Sequence, residues 1–217
     1  MNERYKNYQQ ARDAAWQLLI DCKVSSLPVN LNDICKHLGI HVYTYRAAAN
    51  VIAAAGLSAQ RKISDGFTLR RGEKTYIFYD DAACSLGRQR FTVAHELGHI
   101  VLGHVGDGEH TVANRDPSPK DDPYEIQANQ FAARILAPAC VLHAMGVTKA
   151  EDISRVCEIS LSAAEFRAAR LAVLEGRGKY LSHPLERQVF EQFRDYLLRQ
   201  AHQGHDLERP RQSEQHP

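Results

Sequence analysis

"RFTVAHELGHIVLGH", residues 90–104, carries two histidines four apart, with a glutamate directly after the first. On a helix, His95 and His99 project from one face a single turn apart. At that spacing two imidazole nitrogens can bind one tetrahedral metal ion. Glu96 lies about 100° round the helix, where a carboxylate is placed to handle an attacking water instead of binding the metal. The flanks are apolar, Phe-Thr-Val-Ala before and Ile-Val-Leu after, so the helix belongs in a core. Three ionisable side chains on a buried helix are costly unless a metal or a cleft uses them. The stretch reads as half of a metallopeptidase site, and a third protein ligand has to come from elsewhere.

His104 is a poor candidate for that ligand. It follows His95 by nine residues, so a continuous helix would turn it about 180° away. The longer metzincin pattern wants a glycine at position 102 and a histidine at 105, and this chain has Leu102 and Val105. A break at Gly103 would redirect His104 more readily toward a supporting or cleft role.

The next apolar helix, within "DDPYEIQANQFAARILAP" (121–138), offers Glu125, which would complete the two-histidine, one-glutamate set of thermolysin-like enzymes. Glu125 shares a face with Ala128, Asn129 and Ala132, whose small side chains allow close approach to the first helix. A second reading stands beside it: Asp122 as N-cap, Pro123 at the first helical position and Glu125 two residues on spell a capping box. Asp116, Asp121 and Asp122 are further candidate ligands, but a proline-rich loop holds a ligand position poorly.

The rest of the chain frames these helices. An amphipathic helix is expected over 5–22 and a shorter one from Asn30, as N-cap, to Gly39. A strand follows at 41–45, then an ambiguous alanine-rich stretch at 47–60. Residues 64–81 alternate and turn near Arg71-Gly72, the pattern of a β-hairpin. The motif helix covers 86–102 and stops at Gly103; 106–123 is loop by composition. Helices are expected at 123–136, 149–157, 162–174 and 185–199. The tail from about 202 has nothing to bury and is expected to be disordered. The fold class is α+β: a zincin-like metallopeptidase with a small antiparallel sheet, two motif helices and a helical C-terminal part. The expected division is 1–140, 141–200 and a tail over 201–217.

Composition narrows the setting. The formal charge is +1, which gives no bulk attraction to nucleic acid or anionic membrane. No stretch approaches the roughly 18 apolar residues of a membrane span, and the N-terminus lacks a secretory h-region. Cys22, Cys35, Cys84, Cys140 and Cys157 are odd in number, widely scattered and without C-x-x-C spacing. Free thiols and a cytoplasmic location are the economical expectation.

"RFTVAHELGHIVLGH" followed by "EIQANQFAARILAP" resembles the ImmA/IrrE family of metallo-endopeptidases, whose pattern is H-E-x-x-H and then E-x-x-A-N-x-F-A on the next helix. The similarity covers both motif helices and extends loosely over most of residues 8–200. It implies that Glu125 completes the metal site with His95 and His99, giving a gluzincin-like zinc endopeptidase with Glu96 as the catalytic carboxylate. Zinc suits such a donor set, and Mn2+ or Fe2+ could also occupy it. Tyr124, His104 and His143 are unranked candidates for a second oxyanion donor. The resemblance also implies a protein substrate, a helix-turn-helix repressor of a mobile element or stress response, whose site-specific cleavage derepresses genes. The strand at 74–81 is either a free edge that takes the substrate as an added strand or an ordinary inner strand.

A rival reading makes the chain a DNA-binding or repressor-binding module without proteolysis. Residues 151–171 hold a helix, a turn and a second helix with Arg167 and Arg170, as a helix-turn-helix would. Helix pairs are common packing devices, however, and the charge balance argues against direct nucleic-acid binding. The oligomeric state is not encoded in any of these features.

Overall fold

The computed structural model describes residues 3–82, 85–105, 110–111 and 122–207. Helices α1 (Glu3–Asp21) and α2 (Leu31–His37) lead into strand β1 (Ile40–Thr44). Asn30 caps α2 as expected, its side chain accepting from the amides of Asn32 and Asp33 at 3.1 and 3.4 Å. The ambiguous alanine-rich region resolves into α3 (Ala49–Ala54) and α4 (Gln60–Ile63). The hairpin then forms from β2 (Gly66–Arg71) and β3 (Lys74–Tyr79), paired antiparallel from Gly66↔Tyr79 to Arg71↔Lys74. Gly72 makes its turn at φ 62°, a conformation that glycine adopts without the steric penalty of a Cβ.

The sheet order is β1-β3-β2-β4, where β4 is the short strand His110–Thr111 inside the expected loop. Pairings of β2 with β3 and with β4 are antiparallel, while β1 lies parallel to β3, so the sheet is mixed. The segment between β1 and β2 carries α3 and α4 and is long enough for the crossover that a parallel pair needs. It lets β1 cover the open side of β3. Residues 74–79 are therefore an inner strand, hydrogen-bonded on both sides, and offer no edge to a substrate.

Side-chain alternation assigns the two faces of the sheet. Phe67, Leu69 and Phe78 join Tyr45, Ala48, Ile52 and Leu57 in a small apolar cluster under α3. Ile77 points the other way, into the main core, and Val42 and Tyr79 pack against that core. On that second face lies α5 (Leu86–Val101), the first motif helix. The β2 residues facing it are Gly66 and Thr68, which are small, and this leaves room beneath α5 for a carboxylate.

The second motif helix, α6 (Pro123–Leu136), packs against both α5 and α1. It is followed by α7 (Ala139–Ala144), α8 (Ala150–Cys157), α9 (Leu161–Glu175), α10 (Pro184–Gln192) and α11 (Arg194–Leu207). The expected single helix over 185–199 is two, parted at Phe193, whose amide is shared between the carbonyls of Val189 and Phe190 at 3.2 and 3.1 Å. Helix α7 starts directly after Pro138, in a stretch where the sequence pattern predicts no helix. Helix α11 carries 202–207, part of the expected tail, and 208–217 lie outside the described residues. The main core draws from Ala11 in α1 to Tyr196 in α11. Cys22, Cys35, Cys140 and Cys157 are free thiols; Cys84 lies outside the described residues. Burial pushes Cys35, Cys140 and Cys157 up to about 12, which leaves them unreactive at neutral pH.

Candidate metal centre

Close helix packing builds the site. A Cβ on Gly98 of α5 would stand 3.2 Å from Ala128 Cα and 3.1 Å from the Phe131 ring on α6. Gly98 and Ala128 thus let the two backbones meet at a distance that larger side chains would forbid. One turn before Ala128, Glu125 is brought opposite His95 and His99. Its Oε2 lies 3.2 Å from His95 Nε2 and its Oε1 3.3 Å from His99 Nε2. The two Nε2 atoms are 3.0 Å apart. Bonds of about 2.0–2.1 Å at tetrahedral angles place donors about 3.4 Å from one another, so the three side chains converge at nearly the spacing of a metal's coordination shell.

The surrounding hydrogen bonds say which atoms are free to donate to a cation. His95 Nδ1 lies 3.0 Å from Asn129 Oδ1; an amide oxygen only accepts, so Nδ1 holds the proton and Nε2 carries the lone pair. Gln127 Oε1, at 2.8 Å, takes the proton of His104 Nε2, which makes His104 Nδ1 an acceptor. That atom lies 3.1 Å from His99 Nδ1, which must then donate, leaving His99 Nε2 unprotonated. Two Nε2 atoms and a carboxylate therefore face one point, an arrangement that calls for positive charge there, a metal ion or protons on the imidazoles. The donor set, two imidazoles and one carboxylate, fits a borderline ion such as zinc.

Glu125 is not spent on capping. Asp122 caps α6 by accepting from the amide of Tyr124 at 2.9 Å, and the Glu125 carboxylate turns to the histidines. Burial would raise its pKa, but the hydrogen bonds and charges of His95 and His99 outweigh burial and hold it well below the usual carboxylate range. For His95, burial disfavours the charged form; the Glu125 hydrogen bond and the nearby carboxylates outweigh it and raise the pKa. Asp116 and Asp121 lie outside the described residues.

Glu96 is 1% exposed, and its Oε2 accepts from Thr68 Oγ1 at 2.8 Å. Burial raises its pKa, which moves a carboxylate toward the range useful to a general base. Gly66 makes the space: a Cβ there would stand 2.4 Å from Thr92 Cγ2 and 3.7 Å from Glu96 Cγ. Thr68, Gln127 and the orienting role of Asn129 escaped the sequence reading, since nothing local in a strand threonine or a helix glutamine announces a partner on another element.

His104 stays off the ligand set. Its backbone leaves α5 at Gly103, φ 73°, and its amide bonds the carbonyl of His99 at 2.9 Å, which folds the ring back onto His99. Burial lowers its pKa, keeping it neutral. The exposed Tyr124 ring packs 4.6 Å from the His104 ring. His143 pairs with Glu175 at 3.1 Å, stacks on Tyr180 and does not line the cleft.

A cavity of about 830 Å³ opens from His95, Glu96 and Glu125 and runs between α5, α6 and α9. Phe91, Ile159, Ala163 and Phe166 give it an apolar wall, with Phe166 83% exposed. The α8–α9 pair contributes Arg167 and Arg170 to this cavity, where Arg167 is buried and bonds the Ala137 carbonyl at 2.6 Å. The two arginines that suggested a DNA-reading helix are thus turned toward the protein's own cleft.

Residues 35–169, more than half of the 217-residue chain, match the family model of peptidase M78, the IrrE N-terminal-like domain. The matched span runs from α2 into α9 and includes both motif helices. No curated protein matches the chain. Among the described residues no helix is long and apolar enough to cross a membrane.

Proposed function

The chain belongs to the IrrE N-terminal-like peptidase family, and from that premise we propose that it is a cytoplasmic zinc endopeptidase cutting a helix-turn-helix repressor at one site. His95, His99 and Glu125 hold the metal in this reading, and Glu96 is the catalytic carboxylate. The observation that carries it is the convergence of two imidazole Nε2 atoms and one carboxylate within 3.3 Å of one another. When bound, zinc supplies Lewis acidity that acidifies a water and polarises a carbonyl.

The side chains do the rest. Glu96 takes the proton of the attacking water and returns it to the departing amine, so that peptide cleavage balances without a further acid. Thr68 holds Oε2, so the other carboxylate oxygen is the one available to the water. Asn129 and the Gln127–His104 pair keep both imidazoles in the tautomer that presents Nε2, as ligating histidines require. Phe91 and Phe166 shield the cleft and bind apolar parts of the substrate.

The repressor as target rests on the family resemblance of the two motifs. It is tested by incubating the zinc-loaded protein with the helix-turn-helix repressor encoded nearest to it. A single cut is expected, absent with Glu96→Gln and after chelation. An intact repressor under all three conditions would refute this target, and cutting by Glu96→Gln would refute the mechanism.

A further inference from the structure

Beyond the candidate metal site, the cleft ends in a group of arginines that no carboxylate among the described residues pairs with. Arg134 of α6 and Arg167 and Arg170 of α9 all line the cavity that holds His95 and Glu125. Arg134 is 8% exposed and Arg167 7%. Tyr8 of α1 lies among them: the Arg134 guanidinium stands 4.5 Å and that of Arg170 5.3 Å from its ring centre. The Arg170 guanidinium also donates to the Tyr8 hydroxyl. Among the described residues none of the three arginines makes an ion pair with a carboxylate. Glu186 feels the charge of Arg167 but does not reach it as an ion pair.

Such a cluster is expensive in isolation. Like charges in a partly dry wall repel, and each has lost solvation. Among the described residues Arg134 bonds the Gln130 carbonyl at 2.6 Å and Tyr8, Arg167 the Ala137 carbonyl, and Arg170 Tyr8. Beyond these bonds the three guanidiniums line the cavity, with a fork geometry that suits a carboxylate.

We infer that this end of the cleft is a subsite for an acidic side chain of the substrate polypeptide, with Arg134 and Arg170 as its specificity-determining residues. The inference rests on the peptidase reading for the path of the chain through the cleft. Arg134 follows Glu125 by nine residues on one helix, about 13 Å along its axis at the α-helical rise. An extended peptide advances about 3.3 Å per residue, so the acidic residue falls about four positions from the scissile bond. The apolar wall between, with Phe91, Ile159 and Phe166, takes the side chains nearer the cut.

The test uses the zinc-loaded full chain carrying Glu96→Gln, so that binding is read without turnover. The probes are acetylated, amidated ten-residue peptides with a central leucine in a serine–alanine background. One glutamate is walked through successive positions, against a matched set with glutamine. A glutamate preference of about tenfold at one spacing is expected, and it is lost on adding Arg170→Gln. Equal binding of the two sets, no binding of either, or a preference that survives Arg170→Gln overturns the subsite. So does saturation of the arginines by inorganic phosphate alone with no glutamate preference, which would make the ligand a free anion. Because no cleavage is measured, this outcome is independent of whether Glu96 and the metal perform hydrolysis.

Discussion

Thr68 Oγ1 donates to Glu96 Oε2 at 2.8 Å, joining the hairpin to the face of α5 that carries Glu96. Among the described residues it is the side-chain hydrogen bond that this buried carboxylate receives, and it opposes the rise in pKa that burial imposes. Thr68→Val keeps the shape and removes the donor. In the proposed mechanism activity is carried by the ionised Glu96 and is lost as pH falls through its pKa. Without Thr68 that pKa rises further, so the acidic limb of the kcat/KM profile should move to higher pH. At neutral pH turnover should fall by about tenfold to a hundredfold, the effect of a lost hydrogen bond to a charged group. An unmoved acidic limb would assign that limb to another group.

Glu96→Gln should leave the metal content unchanged, because the side chain lies on the hairpin side of α5 and outside the set His95, His99 and Glu125. Turnover should fall by about 10²–10⁴, the usual contribution of a positioned proton-transfer group. Metal analysis and a single-turnover cleavage assay on the same sample check both halves.

His104→Ala removes the acceptor that holds the His99 ring in register. Loss of such an outer partner costs about 10–100-fold in metal affinity. A competition titration against a zinc chelator should show that loss with the fold intact by circular dichroism. Gln127→Leu, which removes the acceptor behind His104, should weaken zinc in the same direction.

Gly98→Ala tests the helix contact. The new methyl would meet the Phe131 ring and the Ala128 backbone at 3.1–3.3 Å, and α6 has to shift to admit it. Overpacking of this kind costs about 1–3 kcal/mol of stability, measurable as a lowered Tm. Zinc affinity should fall with it, since Glu125 rides on the displaced helix. A lowered Tm with unchanged zinc affinity would detach the ligand geometry from this contact.

The parts of the fold legible in the sequence are those written locally. H-E-x-x-H on an apolar helix, the small face of Ala128 and Ala132, and the turn at Gly72 each depend on spacing within one element, and the structure keeps all three. What depends on pairing between distant segments was not legible. Whether β3 is an edge is decided by β1, some 30 residues earlier. The partners of Glu96 and His104 come from β2 and α6, and nothing in the periodicity of those elements marks Thr68 or Gln127. Arg167 and Arg170 show the reverse failure: as sequence they suggest a DNA-facing helix, but Ala137 and Tyr8 hold them against the protein itself. Glu125 stood between two local readings, and only the approach of α5 through Gly98 decides which one the carboxylate follows.

The central claim is that His95, His99 and Glu125 bind one metal ion together, and metal content per chain tests it most directly. Wild type and Glu125→Ala are purified side by side and equilibrated with zinc. The account predicts about one zinc per chain for wild type and a sharp loss in the variant, with the helical content of both unchanged. Equal zinc in the two proteins, or none in either, would contradict it.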